Sequence, residues 1–134
     1  MFHYTAETTA SIQDAIAALE TSLEEEQFGV LWRFNLREKL KEKGFDFERD
    51  YVVLEVCNPA EASRVVSGNV LAGYFLPCKI VVYEADGKTK IGMPKPTAFM
   101  NMLEDDALKS IAADVEVRLI GCIDRVANPR QENR

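Results

Sequence analysis

The sequence predicts an α+β fold: a mainly antiparallel sheet carrying two long amphipathic helices, in a single domain spanning residues 1–134. Three observations carry this prediction. Strand-like runs with period-two alternation occur at residues 51–57 and 78–84. Asp86-Gly87 follows the second run and is a hairpin turn signal. Residues 12–23 and 104–127 repeat apolar side chains at steps of three and four, and such stripes need a sheet face to cover them.

The elements follow in order. Residues 2–7 read as a first strand. Ser11 and Asp14 have the spacing of a helix-capping pair, and Ile12, Ala15, Ile16, Leu19 and Leu23 then form one helical face, with Gly29 as the stop. Glu24, Glu25 and Glu26 oppose the helix dipole at that end, and the sequence offers no reason for them beyond solubility. Residues 30–34 read as a strand with Val30, Trp32 and Phe34 on one face. Asn35 caps a short helix over 36–43, ended by Gly44.

In the strand at 51–57, Val52, Leu54 and Val56 point one way, and Tyr51, Val53, Glu55 and Cys57 the other. Asn58-Pro59 ends that strand and opens a helix, with Asn58 as N-cap and Pro59 at the first helical position, burying Ala62, Val65 and Val66. After the hairpin, Pro94 and Pro96 exclude a continuous helix. The last helix, 104–127, places Leu108, Ile111, Val115, Leu119, Cys122 and Val126 on one stripe and begins with Glu104, Asp105 and Asp106. A frayed tail is expected over 128–134.

Composition limits function. With 134 residues, 47% apolar and 28% charged, the chain has the make-up of a soluble globular domain. A net charge of −6 argues against a nucleic-acid partner, because phosphate binding needs clustered Lys and Arg, and Arg37, Lys39, Lys41 and Lys43 are diluted by Glu38 and Glu42. No apolar stretch approaches the ~18 residues of a membrane helix, so no membrane partner is expected. The start lacks the pattern of a signal peptide. A cytoplasmic location with reduced thiols is therefore expected, in keeping with an odd count of 3 cysteines.

The candidate site is where two proline-flanked cysteines end their strands, in Cys57-Asn58-Pro59 and Pro77-Cys78. Strand parity predicts that Cys57 faces the Glu55 side and Cys78 the Glu84 side, both away from the Val52–Leu54–Val56 core. The helix N-terminus at Asn58 would lower the Cys57 thiol pKa. Competing readings are buried small hydrophobes, thiol chemistry, and ligand binding by the nearby backbone. Cys122 belongs to the core stripe, and His3, the only histidine, has no supporting motif for a cysteine–histidine pair. No zinc spacing, serine elbow, phosphate loop or dinucleotide fingerprint is present, so neither a catalytic residue nor a cofactor or metal is assigned.

Cys57-Asn58-Pro59 with Ala62, then Gly73, Leu76-Pro77-Cys78 and Val81-Val82-Tyr83-Glu84, resembles the domain-of-unknown-function 302 (DUF302) family, with Phe28-Gly29-Val30-Leu31 and Leu40-Lys41-Glu42-Lys43-Gly44 similar to its upstream motifs. The resemblance covers nearly the whole chain. It implies a single curved antiparallel sheet with two main helices, similar to the TATA-box-binding-protein-like fold, a cytoplasmic setting and a dimer, and no established activity. Glu55-Val56 departs from the small residues usual before the first cysteine, and Lys79 from a common Asn after the second. The leading expectation is a homodimer, non-enzymatic or weakly catalytic, that binds a small ligand near Cys57, Asn58, Pro59, Cys78 and Glu55. The alternatives are a thiol redox or sulfur-handling protein using Cys57 and Cys78, and a structural dimerisation module.

Overall fold

Each element of the computed structural model, which describes residues 1–128, begins where a turn or capping residue permits. The order is β1 (His3–Thr8), α1 (Ile12–Glu25), β2 (Gly29–Asn35), α2 (Leu36–Glu42), β3 (Tyr51–Cys57), α3 (Pro59–Gly68), β4 (Cys78–Ala85), β5 (Lys88–Pro94), α4 (Pro96–Met100) and α5 (Asp106–Ala127). Short 3-10 turns at Val70–Phe75 and Asn101–Leu103 link α3 to β4 and α4 to α5. The expected frayed tail lies, beyond Asn128, outside the described residues.

The five strands form one antiparallel sheet in the order β1-β5-β4-β3-β2. α1 and α5 cover one face. On β3, Val52, Leu54 and Val56 are buried, as their alternation predicts. They oppose Val82, Ile80 and Cys78 on β4. Leu19, Leu23, Leu119 and Ile123 from the two helices close over them to make the main core. A second cluster of Val65, Ala72, Met100, Leu108 and Ala112 lies under α3 and α4.

Capping follows the sequence closely. Ser11 Oγ accepts from Asp14 N at 3.1 Å, and Asn35 Oδ1 from Glu38 N at 3.0 Å. Asp105 Oδ1 caps α5 by accepting from Leu108 N at 3.2 Å, while Glu104, expected inside that helix, sits before it in the left-handed region at φ 51°. The hairpin turn puts both Asp86 (φ 55°) and Gly87 (φ 75°) in the left-handed region that a two-residue type I′ turn requires.

Three expectations change. α1 stops at Glu25, with Gln27 rather than Gly29 at positive φ (65°), and Gly29 already belongs to β2. A bulge between Val30 and Trp32 shifts the register, so Val30 pairs with Val56 but Trp32 with Glu55. Val30 therefore packs on the core while Trp32 and Phe34 face away from it, and the three do not share a face. In α3 only Val65 is buried; Ala62 is half-buried and Val66 exposed.

The acids at the end of α1 gain a structural reason. Arg118 of α5 donates from Nη2 to the Glu26 carbonyl at 2.7 Å and from Nε to Glu26 Oε1 at 3.2 Å. Arg125 approaches Glu25 Oε2 at 3.6 Å. Two cations from α5 thus offset the charge run and one exposed carbonyl of the helix end. At the β1 edge of the sheet, on the same covered face, Tyr4 donates to Asp124 Oδ1, which pushes the phenol up to about 12.

Leu54 is fully buried at the centre of this arrangement. Leu54→Ala is expected to lower the free energy of unfolding by about 3 kcal/mol, measured by urea denaturation. A loss below about 1 kcal/mol would contradict the assignment of β3 as a strand buried on its helix-covered face.

Candidate functional site

Asn58 makes the turn from β3 into α3. Its Oδ1 accepts from Glu61 N at 3.2 Å, and its Nδ2 donates to the Glu26 carbonyl at 3.4 Å. Pro59 occupies the first helical position and is exposed. The buried Asn58 side chain therefore fixes where α3 starts and ties that start to the end of α1.

Beside this turn lies a cavity of about 40 Å³, lined by apolar side chains together with Cys57, Asn58, Glu61 and Cys78. Phe28, Val65, Met100, Ala112 and Val115 are among its apolar walls. A second, wider chamber of about 240 Å³ adjoins it and is bounded by Tyr74, Phe75, Pro77, Lys79 and Phe99. Leu76, Cys78, Pro96 and Met100 line both. The Leu76–Pro77 peptide at this boundary is cis.

Cys57, Asn58 and Cys78 are thus brought to one cavity, while Pro59 and Glu55 do not line it. Glu55 is registered between Trp32 and Lys79 on the sheet face opposite α1 and α5. The parity expectation holds for Cys57 but not for Cys78. Cys78 pairs with Val56, so it shares the covered face with Ile80 and Val82 and packs against the core. Cys57 still borders the cavity because the chain bends into α3 immediately after it. Glu84 is remote from both, at the hairpin, where it accepts from Gly87 N at 2.9 Å.

The electrostatics also differ from expectation. Burial pushes the Cys57 thiol up, outweighing any pull from the α3 terminus. Burial, and then the neighbouring Cys57, push Cys78 up to about 11. Both are free thiols, held neutral at ordinary pH, which is the opposite of what a redox or nucleophilic cysteine requires. Cys122 is fully buried, as its place on the stripe predicts. His3 lies on the edge strand β1, which β5 separates from β4 and its cysteine, and its Nδ1 is 3.0 Å from Thr5 Oγ1. Among the described residues, no three His, Cys, Asp or Glu side chains gather in a group able to hold a metal.

Two residues of this site escape a reading of the sequence. Glu61 stands three positions after Asn58, the spacing of a capping box, and that signal alone was available. Its carboxylate turns away from the cap: Oε1 accepts from Arg64 Nη1 at 2.7 Å, and Oε2 lies 3.7 Å from Arg118 Nη1. Arg118 also lies over the Phe28 ring, 5.2 Å from its centroid. No local pattern marks Arg118, because it meets Glu26 and Glu61 only when α1, α3 and α5 pack together.

Comparison with known proteins agrees with this architecture. The family model described as domain of unknown function DUF302 matches residues 4–126. A crystal structure described as that of an uncharacterized conserved protein DUF302 from Bacillus stearothermophilus is 58% identical in sequence, covers 94% of this chain and 98% of its own, and superposes with a TM-score of 0.92. No curated protein matches the chain.

The thiol environment makes a pH prediction. Alkylation of Cys78 by iodoacetamide should be slow at pH 7 and rise about tenfold per pH unit toward about pH 11, as the thiolate fraction grows. The folded state holds the Cys78 proton beyond the ordinary thiol value of 9.0, so the unfolded chain loses its proton first and stability should fall as pH rises from 9.0 to about 11. Urea titrations across that window would show the fall in wild type and a smaller one in Cys78→Ala. Rapid alkylation at pH 7 would contradict the assignment.

Proposed function

The chain belongs to the DUF302 family, whose function is unknown, and from that premise we propose that it binds a small, largely apolar molecule where β3 and β4 end beside α3. The single observation that supports this reading most is the cavity shared by Cys57, Asn58 and Cys78, with its wider adjoining chamber. Binding sites for small molecules are concave and mostly apolar, with a few placed polar groups, and this one has that composition. The raised thiol values favour binding over thiol redox chemistry. In this reading Cys57 and Cys78 are neutral, polarisable walls rather than nucleophiles.

We also propose a homodimer formed through the uncovered sheet face. Trp32 and Phe34 stack there at 5.4 Å, Tyr51 and Tyr83 lie 5.4 Å apart, and Phe47 meets Tyr51 at 6.1 Å. Trp32 is 54% exposed and Leu31 62%. A half-exposed aromatic band of this kind favours a partner surface, and a second copy carries the same band. Three unpaired cysteines favour a reducing, cytoplasmic setting. No helix among the described residues is long and apolar enough to cross a membrane.

Native mass spectrometry of protein exposed to a metabolite extract should show adducts on the 15.1 kDa chain that disappear in Ala62→Leu, which fills the cavity wall. An unmodified mass throughout, from protein that is folded by circular dichroism, would overturn the binding proposal. Light scattering at micromolar concentration should give about twice 15.1 kDa for wild type and a single chain for Trp32→Glu. A wild-type mass of 15.1 kDa would overturn the dimer.

A further inference from the structure

The three cysteines have unequal surroundings. Cys122 is engaged: its Sγ lies 3.6 Å from the Ser22 carbonyl and 3.4 Å from Arg125 Nη2. Cys57 and Cys78 are free thiols, and neither sulfur takes part in a hydrogen bond among the described residues. Register brings this second pair together. Cys78 lies opposite Val56, so Cys57 is one residue further along the adjacent strand, and antiparallel strands run only about 4.8 Å apart. Both side chains border the inner cavity, because the chain turns into α3 directly after Cys57. They are close enough that charge on Cys57 raises the Cys78 thiol. Met100, buried in the second core cluster, is the other sulfur-bearing residue of the same lining.

The polar side chains of this lining are committed elsewhere. Asn58 caps α3 and holds the Glu26 carbonyl, and the Glu61 carboxylate is paired with Arg64 and Arg118. What the cavity offers is therefore sulfur. At about 40 Å³ it has room for a single ion stripped of its water. Donor type then selects the ion. Calcium and magnesium take oxygen. Structural zinc takes four ligands, and no third His, Cys, Asp or Glu joins the two thiols among the described residues. Thiolate and thioether sulfur suit Cu(I), and an apolar wall limits the access of water to it. We propose that the inner cavity is a site for a soft monovalent cation of the Cu(I) class, held by the Cys57 and Cys78 thiolates with the Met100 thioether as a third donor. Binding breaks two S–H bonds, forms two sulfur–metal bonds and passes both protons to solvent, with no change in oxidation state. The metal displaces each proton directly, so thiols that are neutral in the metal-free protein are compatible with this chemistry. The inference goes beyond the binding of an organic molecule and does not depend on it.

The test is anaerobic titration of the reduced protein with Cu(I) in competition with a chromophoric Cu(I) chelator, with Ag(I) as a redox-inert second probe in native mass spectrometry. One ion per chain is expected, each displacing two protons, with Zn(II) bound at least about a hundredfold more weakly. X-ray absorption of the copper-loaded protein should show sulfur as the ligating element. Cys57→Ser and Cys78→Ser should each weaken Cu(I) at least about a hundredfold, and Met100→Leu, which keeps the core volume, about tenfold. Cys122→Ala should leave the affinity unchanged. In wild type, Cu(I) should also block alkylation of Cys57 and Cys78 at pH 9. Transfer of all Cu(I) to the chelator, or undiminished binding in a folded Cys57→Ser/Cys78→Ser double variant, would overturn the site. Unhindered alkylation of wild type under excess Cu(I) would overturn it even where the variants fail to fold. An unchanged affinity in Met100→Leu would overturn the place given to the thioether.

Discussion

Val52, Leu54 and Val56 on β3 lie opposite Val82, Ile80 and Cys78 on β4, and α1 and α5 close over these pairs. The rest of the molecule is arranged around this burial. Strand register is tightly held wherever one sheet face is covered, since a one-residue slip would exchange the buried and outward sets. The helices in turn have nowhere else to bury their apolar stripes. The same register carries Cys78 to the covered side at the end of β4 and leaves Glu55 on the opposite face.

At the edge of this core three helices meet around one guanidinium. Arg118 reaches the end of α1 through Glu26, approaches Glu61 in the first turn of α3, and lies over Phe28 between them. Asn58 joins the same carbonyl from the other side. These contacts satisfy groups that helix ends leave open, and they hold the cavity wall in a defined shape without filling it. The price of that arrangement is Glu61 Oε2, buried with no hydrogen-bond donor among the described residues.

Much of the fold is legible along the chain. Ser11, Asn35, Asn58 and Asp105 each cap the helix they precede, because a cap depends on residues only three positions apart. The Asp86-Gly87 turn and the alternation in β3 are equally local. The errors fall where a choice depends on distant partners. The bulge at Leu31 reverses the face of Trp32 and Phe34, and nothing in residues 30–34 announces it. The 3-10 turn at Val70–Phe75 forms where the sequence shows only Gly68, Asn69 and Gly73 as breaks. The candidate site was half legible: the motif cysteines and Asn58 do share a cavity, whereas Glu55 does not face it and Glu61 and Arg118 went unmarked.

By itself, the sequence determined the five strands, the four longer helices and most of their caps, the hairpin, the core stripes of α1 and α5, and the likeness to a family without an assigned activity, since all of these depend on neighbours within a few positions. Only the tertiary structure decided which way Cys78 faces, that both thiols are held neutral, and that a carboxylate three residues into α3 is enclosed with one oxygen unused. The physical reason is that parity within a strand is an internal property, but which parity is buried, and how much water reaches a given atom, depends on the strands and helices packed against it.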